Sequence, residues 1–239
     1  MEQLYEIDKF VPVYFSSPDD KEYFAFLRHS IEQNYEAQNY HFSLVAMHMM
    51  YMGIVYHYIF WIYKADPKRF DHILIGFHDA LQITSIDSIS WHMFVGCGES
   101  NIFQFYRAVG IPKDQIGNLK QPVKVRNDML HANGKFLSSI EDYDLKTNEY
   151  LRYLHKIHNY CKDELKSLFF VFLDSIELKI ETEDEAKGYI KQELLQKYNL
   201  NQVTIENLSK IGHTTYTGRP INAKIIKGAL KSIADDWGE

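Results

Sequence analysis

Phe42-Ser-Leu-Val-Ala-Met-His-Met-Met-Tyr-Met-Gly-Ile-Val-Tyr-His-Tyr-Ile-Phe-Trp-Ile-Tyr63 is the stretch on which the fold turns. No Asp, Glu, Lys or Arg occurs between Glu36 and Lys64, so a helix here is apolar or aromatic almost all round. Its length would suffice to cross a bilayer. Against a membrane span, His48 and His57 lie inside it, His41 lies just before it, and five tyrosines fall between Tyr40 and Tyr63. A lone spanning helix would leave those polar groups in lipid at a cost. A helix surrounded by others accounts for the same pattern, with hydroxyls and imidazoles meeting polar partners. The run therefore predicts the central helix of an all-α bundle and no membrane partner.

Working outward, Met1–Ser17 reads as an irregular lead-in. From Asp19 to about Gln38, Tyr23, Phe24, Phe26, Leu27 and Ile31 recur at helical spacing among charged residues. Ala65-Asp66-Pro67 breaks the central run, and Pro67–Ser90 predicts a further helix with Phe70, Ile73, Leu74, Phe77, Leu81 and Ile83 inward. Gly96–Ser100 predicts a loop whose Ser100 caps a helix Asn101–Val109. It matches neither a phosphate loop nor a nucleophile elbow. Gly110–Gln121 reads as a loop, and Thr147 as the cap of a long helix to about Ile176. The capping box Thr182-x-x-Glu185 opens a helix to about Tyr198. Two shorter helices, Thr204–Ile211 and Pro220–Asp235, follow. Residues 1–180 are expected to form the bundle and residues 181–239 a small helical appendage. Strand-like alternation is short, as at Glu177–Glu181.

Composition narrows the function. With 46% hydrophobic and 15% aromatic residues the chain can bury a sizeable core. A net charge of −6 excludes coating nucleic acid through overall charge. Cys97 and Cys161, far apart and without a Cys-x-x-Cys pattern, read as buried thiols in a reducing compartment. The acidic N-terminus lacks signal-peptide character, so a cytoplasmic protein is expected. His41 and His48 have no nearby carboxylate to complete a metal set, and His72 and His78 fall on opposite sides of a helix. No metal or cofactor is expected.

The chemistry concentrates in Val123–Lys135. Pro122 suits a first helical turn and Gly134 a helix end, which predicts a short helix carrying Arg126, Asn127 and His131. Asn127 and His131, one turn apart, would stack on one face, and the long Arg126 side chain would curl towards them. Lys113, Lys120, Lys124, Arg126 and Lys135 face only Asp114 and Asp128 across residues 112–135. In an acidic chain, this local excess is what a phosphodiester would require.

Arg126-Asn127-Asp128-Met129-Leu130-His131 resembles the signature of the HEPN superfamily: an arginine, a polar residue after it, and a histidine a few residues on. The form Arg-Asn-x-x-x-His is similar to that of HEPN ribonucleases, including toxins, abortive-infection proteins and the nuclease domains of RNA-guided effectors. The resemblance implies a HEPN-like helical bundle and metal-independent cleavage of single-stranded RNA, in which the ribose 2′-hydroxyl attacks the adjacent phosphate and leaves a cyclic phosphate. In that scheme Arg126 holds the phosphate, His131 is the general acid or base, Asn127 orients, and Lys120, Lys124 and Lys135 bind substrate. It also implies a homodimer whose two motif helices share one composite site, and leaves open whether an antitoxin or sensor protein restrains the activity. A non-catalytic RNA- or protein-binding assembly module is the alternative.

Overall fold

The computed structural model describes residues 1–74, 90–131, 136–176, 180–212, 216 and 222–236, with the side chains of 71–74 excepted. The chain is all-α, and no strand occurs among the described residues; Pro12 and Asn201 form an isolated antiparallel bridge. The helices are α1 (Glu2–Asp8), α2 (Pro18–Glu36), α3 (Tyr40–Ala65), α4 (Pro67–Leu74), α5 (Glu99–Ile102), α6 (Lys113–Leu119), α7 (Gln121–Leu130), α8 (Ile140–Asp174), α9 (Glu183–Ile190), α10 (Gln202–Ser209) and α11 (Ala223–Asp235). Two 3-10 segments, Trp91–Cys97 and Phe103–Val109, flank α5, and a wider π turn, Lys191–Gln196, continues α9.

The charge-free run is the axis of the bundle. Helix α3 packs against α2 on one side and α8 on another, and Leu44 to Tyr63 are buried save Val45 and Met49. Several of its polar groups meet partners inside the protein, while the Tyr51 hydroxyl and His57 Nε2 are buried with no hydrogen-bond partner among the described residues. Ser43 donates to the Ile31 carbonyl, His48 Nε2 lies 3.0 Å from Glu99, and the Tyr58 hydroxyl lies 2.9 Å from His158 Nδ1. Each buried aromatic contributes about 1.5–3 kcal/mol, and the surrounding helices also supply hydrogen-bond partners for Ser43, His48 and Tyr58.

Several local expectations change. The lead-in contains α1, whose Leu4 and Ile7 enter the core and which packs on α8. The supposed loop Gly110–Gln121 contains α6, held by buried Ile116 and Leu119. Helix α8 begins seven residues before Thr147: the Ser139 hydroxyl accepts from the Asp142 N–H, and Tyr143 already faces the core. Thr147 is an internal, buried residue whose hydroxyl returns to the Tyr143 carbonyl. Ser100 does not cap Asn101–Val109; α5 starts after Gly98, whose φ of 71° favours glycine. The capping box of Thr182 and Glu185 is formed as read. Ile75–Ile89, Gly134, the Glu177–Leu178–Lys179 portion of the strand-like alternation, and Pro220 lie outside the described residues, as do His78 and Asp79.

The C-terminal helices are knitted to the rest. Asn201, fully buried, caps α10 through Thr204 N–H and donates its amide to the Phe10 carbonyl and the Tyr58 hydroxyl. The Trp61 indole donates to the Tyr198 carbonyl at 2.5 Å. Leu194, Leu195, Leu200, Ile205 and Leu230 belong to the same apolar cluster as α3.

Candidate functional site

Helix α7 is short because little holds it. Only Pro122 and Val123 of its ten residues are buried, and a ten-residue helix without a packed face is marginal. It therefore ends at Leu130. His131 lies past the end in an extended conformation, φ −77° and ψ 142°, its N–H still bonded to the Asn127 carbonyl at 3.1 Å. His131 thus ends the helix but keeps its place one turn on from Asn127: its φ and its N–H bond to the Asn127 carbonyl are helical, and only the chain beyond it departs, leaving the residue exposed.

Arg126 turns the other way. Its guanidinium Nη2 donates to Glu99 Oε2, with both side chains about three-quarters covered. Glu99 Oε2 also accepts from His48 Nε2 at 3.0 Å, and the other ring nitrogen lies 2.9 Å from the Tyr150 hydroxyl. The Tyr150 O–H in turn donates to the Pro122 carbonyl at 3.5 Å. The contacts form a ring through four helices: Arg126 on α7, Glu99 on α5, His48 on α3, Tyr150 on α8, and Pro122 back on α7. Burial works against ionisation of Glu99, but the hydrogen bonds and positive charge of His48 and Arg126 outweigh it and hold its carboxyl below the ordinary value. The pair is thus a charged one, and Arg126 keeps N–H groups beyond the one given to Glu99.

Lys120 and Lys124 sit one turn apart, with Lys120 half-exposed and Lys124 exposed. Arg126 is two residues on from Lys124, about 200° further round the helix. The lysines and Asn127 therefore occupy one side and Arg126 another. Lys135 lies outside the described residues. The sequence predicts a loop at Gly96–Ser100 and a satisfied core histidine at His48, which the structure shows buried and hydrogen-bonded, but it gives Glu99 no role. An acidic residue opening a four-residue helix carries no pattern of its own; only the fold brings it to Arg126.

Among the described residues, no cluster of three or more His, Cys, Asp or Glu residues is arranged to hold a metal ion. No family model, curated protein or solved structure matches this chain. The functional reading therefore rests on the motif and on the ring of contacts that anchors its arginine.

Proposed function

We propose that this chain is a HEPN-like, metal-independent endoribonuclease acting on single-stranded RNA, with a toxin or phage-defence role. The observation that carries the reading is the anchoring of Arg126. A buried chain of polar groups from three other helices ends on this one guanidinium near the surface. Such a network is expensive to bury and weak as a source of stability, whereas a fixed guanidinium fork is what binding a phosphate and stabilising its growing charge require.

In this mechanism the phosphate docks on the N–H groups of Arg126 not used by Glu99. His131, exposed at the helix end a few residues on, transfers a proton, a contribution of roughly 10²–10⁴-fold. Asn127, one turn before His131, orients the imidazole or the phosphate, and Lys120 and Lys124 attract the flanking phosphates. A second copy of the chain belongs to the proposal, and Leu130, Phe136 and Ile140, exposed apolar side chains close to His131 in sequence, are candidates for what it would cover.

One observation favours the binding-module reading: Glu99 already occupies part of the guanidinium. Cleavage of single-stranded RNA in EDTA by wild type, Arg126→Ala and His131→Ala separates the two, with circular dichroism confirming each fold. The enzyme predicts cutting by wild type and loss in both variants. A folded wild type that binds RNA through Arg126 without cutting it indicates the module.

A further inference from the structure

Asp20, in the first turn of α2, is a carboxylate taken into the core, and its partners come from the far side of a long chain excursion. The Trp91 indole N–H donates to Oδ2 at 2.9 Å, and His92 Nε2 lies 2.5 Å from Oδ1. The Asp20 side chain is 4% exposed and that of His92 55%. Trp91 is itself fixed, stacked on the His57 ring with centroids 4.7 Å apart. A carboxylate that only accepts forces the proton of a neutral His92 onto Nε2. The lone pair then resides on Nδ1 of a half-exposed ring held at its other end.

Beside this ring is a cavity of 420 Å³, walled by Tyr23, Met49, Met52, Tyr56, Val95 and Glu99. The volume falls within the roughly 300–1,000 Å³ of small-ligand pockets, and the lining combines aromatic and apolar side chains with the carboxylates of Asp19, Asp20 and Glu99. Glu99 is also the residue on which Arg126 rests. The cavity and the phosphate-binding arginine therefore share a wall. Packing alone would not require a histidine here, since Asp20 already accepts from Trp91 and His92 gains little burial from the pair.

The geometry points to His92 as the general base of the ribonuclease, with Asp20 as its positioning residue and the cavity as the seat of the nucleobase beside the cut. This rests on the ribonuclease reading above. His92 Nδ1 takes the proton of the 2′-hydroxyl as that oxygen bonds to phosphorus. The bond from phosphorus to the 5′-oxygen breaks with its electron pair on the oxygen, which takes a proton from His131. The products are a 2′,3′-cyclic phosphate and a 5′-hydroxyl.

The titratable groups facing His92 are Asp19, Asp20 and Tyr23 from α2, Tyr56 and, behind Trp91, His57 from α3, and Glu99 from α5. The test is the rate of single-stranded RNA cleavage in EDTA between about pH 5 and 9, for wild type, His92→Ala and Asp20→Asn, each checked by circular dichroism. His92→Ala is expected to lower kcat by roughly 10²-fold or more with little change in KM, and to flatten the acid limb of the profile. Asp20→Asn is expected to move that limb with a smaller loss; if it unfolds, His92→Ala decides alone. Wild-type rate and profile in folded His92→Ala overturn this proposal while leaving the ribonuclease standing. A folded wild type that cuts nothing overturns both.

Discussion

Arg126 on α7 donates to Glu99 on α5, a residue twenty-seven positions earlier in the chain, and Glu99 is itself held by the buried His48. The carboxylate thereby fixes the direction of a guanidinium whose helix is too lightly packed to fix it. Glu99 is a positioning residue in this scheme, because it acts on substrate through Arg126.

Glu99→Gln keeps the shape and removes the charge. The expected result is a fall in cleavage rate of about 10-fold or more, since small misplacements of an aligning group are costly, together with a rise in KM as Arg126 loses its anchor. Steady-state kinetics read the split between kcat and KM. Thermal unfolding should fall by only a few degrees, as expected for about 1–3 kcal/mol from one charged hydrogen-bond partner.

Acid should destabilise the fold well before the carboxylates as a class are protonated. Burial pushes His57 down to about 4, and burial with the neighbouring His155 pushes His158 down to about 4. The Asn207 amide donates to His158 Nε2, which only a neutral ring accepts. Both groups bind protons more readily when unfolded, so stability falls as pH drops from about 6.5 to 4, by about 3 kcal/mol each at the limit. Glu99, with its lowered value, adds a loss at still lower pH. Asp8 runs oppositely: burial raises it to about 6, so the folded state gains a proton first. Urea midpoints at pH 7 and 4.5 should show the net loss, and Asp8→Asn should make it steeper.

Asn201→Ala should cost about 3 kcal/mol. It removes a cap worth about 1 kcal/mol and leaves the Phe10 carbonyl and the Tyr58 hydroxyl short of a buried donor. Equilibrium unfolding in urea measures it. Truncation at residue 180 should abolish cooperative folding altogether, because it strips Leu194, Leu200, Ile205 and Leu230 from the shared core.

The all-α class was legible because a charge-free run between Glu36 and Lys64 leaves few alternatives, and the Thr182–Glu185 capping box because both partners lie within one turn. Arg126 and His131 stand out in the sequence as candidates through the HEPN-like signature and not through spacing alone. The rest depended on tertiary contacts. Ser139 could not be preferred over Thr147 as a cap without seeing that Tyr143 is buried. Helix α6 has a Gly117 that suggests a loop until Ile116 and Leu119 find the core. Glu99 and the pair of Asp20 and His92 join residues on separate elements, and nothing in the local sequence announces either.

The most direct test of the account uses an RNA that the purified protein cuts in EDTA, resynthesised with a single 2′-deoxynucleotide on the 5′ side of the cleaved bond. Attack by the ribose hydroxyl predicts that this bond survives intact while neighbouring sites are still cut, and that the all-ribose fragments end in cyclic phosphate. Continued cutting at the 2′-deoxy position, or ends bearing a 3′-hydroxyl, would contradict it.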